Sequence, residues 1–145
     1  MATTCEISLT SDISPGFGGI TKSMTLTKAG TTNDITETTG FSRRKLAATT
    51  AVDLITMANE LAEPADNTAA KVYIKNIGNN GAFDKSTYVT VKVGDTGGTT
   101  QEVGRLFGGD WLMMPVTVVD DMDVVVAPST DDVVVLEYSM FYEEA

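Results

Sequence analysis

Along the second half of this chain, large apolar residues recur at every other position. Val89, Val91 and Val93 alternate with Thr90 and Lys92, and Val72 and Ile74 alternate with Lys71, Tyr73 and Lys75. A period of two marks a strand with one buried and one solvated face. The longest such run, Val133 to Tyr142, puts Val134, Leu136, Tyr138, Met140 and Tyr142 on one face, with Val133, Val135, Glu137 and Ser139 opposite. Further strands are predicted over Glu102–Phe107, Asp110–Met114 and Val124–Ala127, with Val116–Val119 as an extension of the second. Turn chemistry separates them: Gly94–Thr100, Gly108-Gly109 and Pro128–Asp132. Gly108-Gly109 reads as a two-residue hairpin turn, because the central positions of such a turn accept positive φ most easily as glycine. Ser86 to Pro115 is therefore expected to be an antiparallel meander whose third strand ends at Pro115.

The first half is less decided. Glu6–Leu9 reads as a short strand, Ser14–Gly19 as a loop, and Ile20–Lys28 as a weakly alternating strand. Threonine favours strands, but Met1 to Gly40 holds few large apolar side chains. Residues 1–40 are expected to form an N-terminal arm or outer strand layer on a domain spanning 41–145. A chain starting near Phe41 is then expected to fold.

Ser42–Ala62 supports two readings. Ala51, Leu54, Ile55, Ala58, Leu61 and Ala62 fall at helical spacing, with Thr50 and Asp53 placed as a capping pair. Val52, Leu54, Thr56 and Ala58 instead share a strand face. The threonine-rich, strand-dominated surroundings favour a strand to about Ala58, then a loop over Asn59–Thr68 that contains Pro64. The expected fold is all-β: an antiparallel, jelly-roll-like β-sandwich with Val89, Val91, Leu136 and Tyr138 inside, and a Thr-rich N-terminal arm.

Composition narrows the function more than the fold. A chain of 145 residues is one domain by length, large enough to bury a core without staples. Asp and Glu number 20 against 10 Lys and Arg, a formal charge of −10. That sign speaks against nucleic acid, which is held largely through cations on phosphate, and against anionic membranes. It suits a protein kept soluble at high local concentration. No apolar run is long enough for a membrane helix. MATTCEISLT lacks the basic and apolar regions of a signal peptide, so synthesis in a cytoplasm, with exit only by lysis, is expected.

The chain has no histidine, which removes Ser-His-Asp and Cys-His nucleophilic sites and the commonest zinc ligand. Cys5 is the single cysteine, expected as a reduced, partly buried thiol. No nucleotide-binding motif is present, and no cofactor is expected. Asp120, Asp121 and Asp123 precede one strand, and Asp131 and Asp132 the next. Brought together, they offer oxygen ligands to Ca²⁺. The plainer reading is acidic loops that blunt strand edges, so no metal site is expected. A glycosidase pair drawn from them obeys no spacing rule. Phe107, Trp111, Tyr138, Phe141 and Tyr142 either pack in the core or line a sugar or protein site, with Trp111 placed at a rim. Arg43-Arg44-Lys45, the basic cluster of an acidic chain, is either a solvated strand edge or a docking patch for an acidic neighbour. Arg43, Arg44, Lys45 and Trp111 are the candidate interface residues.

From Lys71 onward the succession KVYIKNIG, YVTVKVG, VGRLFGGDWLMMP and DVVVAPSTDDVVVLEYSMFYE resembles small virion structural proteins of tailed, especially marine, bacteriophages. The residues that carry the likeness are Lys75 and Asn76, Val103 to Leu106, Gly109 to Trp111, Pro115, Ala127 to Ser129, Leu136 to Tyr138, and Phe141. The resemblance covers the C-terminal half; residues 1–65 are not matched. It implies a capsid decoration (cement) protein that binds the major capsid protein of an assembled head and associates with its own copies. A tail or adaptor component is the alternative it leaves. A carbohydrate-binding adhesion module using Trp111 and the acidic loops stands as a reading from the residues alone. No catalytic role is expected on either basis.

Overall fold

The computed structural model describes residues 2–10, 19–35, 37–57, 68–79, 87–119 and 122–143. The expected loops at Ser14–Gly19 and Asn59–Thr68 lie largely outside these residues, as do Asp120 and Asp121. Among the described residues, all eleven regular elements are strands: β1 Thr4–Leu9, β2 Ile20–Thr25, β3 Glu37–Thr38, β4 Ser42–Leu46, β5 Val52–Ile55, β6 Ala70–Asn76, β7 Tyr88–Gly94, β8 Thr100–Phe107, β9 Trp111–Val116, β10 Val124–Pro128 and β11 Val134–Tyr142. All pairings among the described residues are antiparallel, and none of their sheets closes into a barrel.

One sheet runs β5-β10-β7-β8. The other runs β3-β11-β6-β9, with β4 also on β11, and β1 and β2 form a separate hairpin. The two larger sheets share one buried core. Val72, Ile74, Leu136 and Met140 enter it from one side, and Leu54, Val89, Val91, Val124 and Val126 from the other. Val89, Val91 and Leu136 are fully buried as expected, and Tyr138 packs half-buried against them.

The meander expected over Ser86–Pro115 is only half present. β7 and β8 pair, but β9 leaves them and pairs with β6 in the other sheet. The Gly108-Gly109 turn explains this. Of the two glycines only Gly109 takes a positive φ, 93°, and the Asp110 amide donates to the Phe107 carbonyl at 2.9 Å. A turn with positive φ at its second central residue alone is of type II. Such a turn splays the flanking strands, whereas type I′, with both positive, matches their twist. The turn is therefore a corner between sheets. Pro115 does not end its strand: β9 continues to Val116. Proline is tolerated because β9 is an edge strand, where its missing N–H interrupts no ladder.

In the ambiguous stretch the strand reading holds for Val52–Ile55 only. Thr56 leaves the strand, and Met57, whose backbone is helical, is the last residue described there. The Met57 amide donates to buried Asp123 at 2.8 Å.

β3 and β4 lie end to end along one side of β11. Thr38 faces Phe141 and Ser42 faces Tyr138, four steps along one strand against three along the other. The extra residue makes a bulge, and Gly40, with φ of 72°, supplies the left-handed backbone it needs. Thr39 repairs the ladder there. Its amide donates to the Met140 carbonyl at 3.0 Å, and its hydroxyl accepts the Met140 amide at 3.0 Å. Thr39→Val leaves that amide without a partner. We expect a loss of about 1–2 kcal/mol, with Thr39→Ser close to the parent. Equilibrium denaturation of the three chains checks this, and equal midpoints would remove the repair role.

The segment between the hairpin and β3 is fastened to the body. Leu26 and Ile35 are buried, and the Ile35 amide donates to the Leu26 carbonyl at 2.8 Å. Glu143 Oε2 accepts the Ala29 amide at 2.9 Å and the Ala69 amide at 3.1 Å. The Ala29 amide, then that of Ala69, hold its carboxyl below the ordinary value; slight burial opposes them and Lys28 adds to them. A depressed folded pKa means the fastening is present above the ordinary glutamate range and lost as pH falls through the lower folded value. The Ala29 and Ala69 amide resonances are expected to shift together on acidification below the ordinary glutamate range. In Glu143→Gln that inflection should vanish; its persistence would assign it to another group.

Candidate functional site

The outward face of the β11-β6-β9 sheet follows from the same alternation that builds the core. Inward-facing Val72, Ile74 and Asn76 leave Lys71, Tyr73 and Lys75 outside on β6. The register then places Met113 opposite Tyr73 and Trp111 opposite Lys75. Phe41, just past the Gly40 bulge, lies against Tyr73. Their ring centroids are 5.8 Å apart at 77°, and those of Tyr73 and Trp111 are 6.4 Å apart at 38°. Rings from β6, β9 and the bulge before β4 thus form a row. Phe41 is 70% exposed and Trp111 46%.

This row forms the floor of an open groove of about 310 Å³. Met113, Phe141 and Lys75 continue the floor, and Thr3 to Glu6 of the N-terminal segment form the wall. Burial, and to a lesser degree the Glu137 carboxylate, raise the Tyr73 pKa, so its phenol remains a hydrogen-bond donor at neutral pH. Cys5, a free thiol as expected, is half-buried in the wall.

The aromatic residues singled out in the sequence divide. Tyr138 and Tyr142 pack against the core, while Trp111 and Phe141 line the groove. Phe107 lies on the other sheet against Tyr88, rings 5.3 Å apart, with Arg105 stacked 4.9 Å from the Tyr88 ring. Sequence reasoning missed Phe41 and Tyr73 as site residues. Tyr73 had a usable signal: it alternates with the two lysines flanking it, so it belongs to the solvated face. Phe41 had none, because a bulge sets its direction.

Arg43-Arg44-Lys45 is not one patch, since consecutive strand residues face opposite ways. Arg43 is exposed and paired with Glu137 at 3.0 Å. Arg44 is half-buried and donates to the Asp53 carbonyl of β5, linking the edges of the two sheets. Lys45 alone of the three is exposed with no ion pair or side-chain hydrogen bond among the described residues. Trp111 lies across the sheet from them, with β11 and β6 between.

The acidic residues also serve local structure. Asp123 is buried on the Met57 amide, and Asp131 accepts the Thr49 amide at 3.1 Å. Asp132 accepts the Thr130 hydroxyl at 3.4 Å. Among the described residues no three carboxylate, cysteine or histidine side chains are grouped to hold a metal ion, and no helix is long and apolar enough to cross a membrane.

The β1–β2 hairpin is the second exposed feature. Its register pairs Thr4 with Thr25, Glu6 with Ser23 and Ser8 with Thr21, so one face is wholly polar. The other carries Cys5, Ile7 and Leu9 opposite Met24, Lys22 and Ile20. Ile7, Leu9, Ile20 and Met24 are each about half exposed. Comparison with protein-family models, curated proteins and solved structures finds no match to this chain.

Proposed function

We propose that this chain is a jelly-roll β-sandwich serving as a structural protein of a phage virion. It binds the assembled head shell in many copies as a decoration, or cement, protein. The strand orders support the jelly-roll reading: β4-β11-β6-β9 and β5-β10-β7-β8 each interleave early and late strands, as two nested Greek keys do. Fold alone does not choose a function. The observation that carries the role is the hairpin. A two-stranded sheet is marginal in water, yet this one leaves four large apolar side chains half exposed in a chain of net charge −10. Covering that face with capsid protein, and neighbouring copies with one another, uses an otherwise unfavourable surface. A ligand that binds only the assembled lattice stabilises it by RT ln(1 + [L]/Kd). No catalytic step is part of this role.

The test is the copy number of the chain in gradient-purified particles of the phage that encodes it, read from a denaturing gel against the major capsid protein. Hundreds of copies per particle are expected. A few to tens would move the protein to the tail or an adaptor position, and absence would end the virion reading.

A further inference from the structure

We infer that the groove over β6 and β9 is a binding site for a short stretch of neutral carbohydrate. This goes beyond the proposed shell attachment through the hairpin. Three observations bear on the ligand. The volume, about 310 Å³, falls at the lower end of small-molecule clefts. The floor is a row of rings: Tyr73 and Trp111, 6.4 Å apart and tilted by 38°, with Phe41 5.8 Å from Tyr73 and nearly perpendicular to it at 77°. Two tilted faces with a third ring edge-on at the end suit a short, twisted chain of flat units that each offer an apolar face.

The polar groups decide the rest. Lys75 and the Tyr73 phenol donate, Glu6 accepts, and the hydroxyls of Thr3 and Thr4 do both. Sugar hydroxyls need that mixture, being donors and acceptors at once. One carboxylate, Glu6, and one ammonium, Lys75, line the groove, so its lining carries no net charge, and the chain as a whole is at −10. A polyanion would meet a carboxylate in the wall and repulsion from the protein around it. Single-stranded nucleic acid, which also stacks on aromatic rows, requires a positively charged track that this groove lacks.

Trp111 is the chain's sole tryptophan, so its fluorescence reports on this groove alone. The experiment titrates the full chain with neutral hexasaccharides of glucose, mannose, galactose and N-acetylglucosamine, and with an oligothymidylate and oligogalacturonate as anionic probes. Saturable change with at least one neutral glycan, insensitive to salt, is expected. Phe41→Ala and Lys75→Ala should each weaken it about tenfold or more. Phe41 is exposed, so its removal spares the fold, and circular dichroism of both variants confirms that. Four results would overturn the inference. They are no response to any neutral probe at millimolar concentration, a stronger and salt-sensitive response to either polyanion, a neutral-glycan response unchanged in both variants, or a change produced by raising protein concentration alone. The last would mean that a second copy fills the groove.

Discussion

Replacing Asn76 with alanine is expected to lower the melting temperature by roughly 10 °C, the largest effect of any single polar substitution considered for this chain. Asn76 is 1% exposed, at the inward-facing end of β6. Its Nδ2 donates to the Leu106 carbonyl of β8, in the opposite sheet, at 2.9 Å, and its Oδ1 accepts the Gly78 amide at 2.9 Å. Its backbone holds the same corner: the amide donates to Asp110 at 2.9 Å and the carbonyl accepts from Gly109 at 2.8 Å. One residue thus clamps the Gly108-Gly109 turn where the chain passes between sheets. Truncation leaves the Leu106 carbonyl and the Gly78 amide buried without their partners, at about 1–3 kcal/mol each. A total of about 2–6 kcal/mol, at about 3–4 °C per kcal/mol for a chain of this size, brackets the expected shift. Asn76→Asp sharpens the test. Its carboxylate keeps the acceptor but places a charge against a carbonyl, and burial pushes its pKa up. The folded state then binds the proton more tightly than the unfolded state, so this variant should recover relative to the parent as pH falls. A melting point within about 2 °C of the parent for Asn76→Ala would show that the corner does not depend on this side chain.

Asn76 also shows what can and cannot be read from the sequence. The alternation of Val72 and Ile74 with Lys71, Tyr73 and Lys75 was enough to place β6 and its buried face. The same pattern puts Asn76 on that face, where an amide must find partners. Which partners depends on the opposite sheet, and no local pattern specifies it. Gly108-Gly109 likewise announced a turn, but hairpin and corner differ in the φ of one glycine. A dipeptide that accepts both values does not choose between them. The row Phe41, Tyr73 and Trp111 combines residues 32 and 38 positions apart, aligned by the β6–β9 register and the Gly40 bulge. Register was legible only as alternation, so Trp111 could be placed at a rim without its neighbours. The basic run Arg43-Arg44-Lys45 suggested a patch because it is contiguous in sequence. In a strand, contiguity divides side chains between faces.

Deleting residues 1–25 and deleting residues 1–40 are expected to give opposite outcomes, and the contrast tests the proposed role of the hairpin. The shorter deletion removes β1 and β2, none of whose residues belongs to the shared core. It exposes the aromatic row further and breaks the bond from the Leu26 amide to the Thr3 carbonyl, 2.9 Å. Leu26, Ile35, β3 and the Glu143 fastening remain. This chain should fold, with a strand-dominated circular dichroism spectrum and a cooperative melt. The longer deletion also removes buried Leu26 and Ile35, the pairing of β3 with β11, and Thr39, leaving the Met140 amide and carbonyl without their partners. Each large buried apolar residue contributes about 1.5–3 kcal/mol, and each orphaned backbone group costs about 1–3 kcal/mol. The combined loss is comparable with the whole stability of a domain, about 5–15 kcal/mol. A chain starting at Phe41 should therefore melt without cooperativity or fail to accumulate. The folded, shorter-deletion chain then isolates function. Ile7, Leu9, Ile20 and Met24 are half exposed, so covering each offers about 1 kcal/mol. Losing all four would weaken attachment by about 4 kcal/mol, nearly a thousandfold. In co-sedimentation with undecorated shells at matched concentration, the full chain should pellet and the chain starting at Leu26 should stay in the supernatant. Equal pelleting would take the hairpin out of shell binding and leave the sheet edge at Lys45 as the next surface to alter. A folded, cooperative chain from Phe41 would instead show that residues 26–40 ride on the body without supporting it.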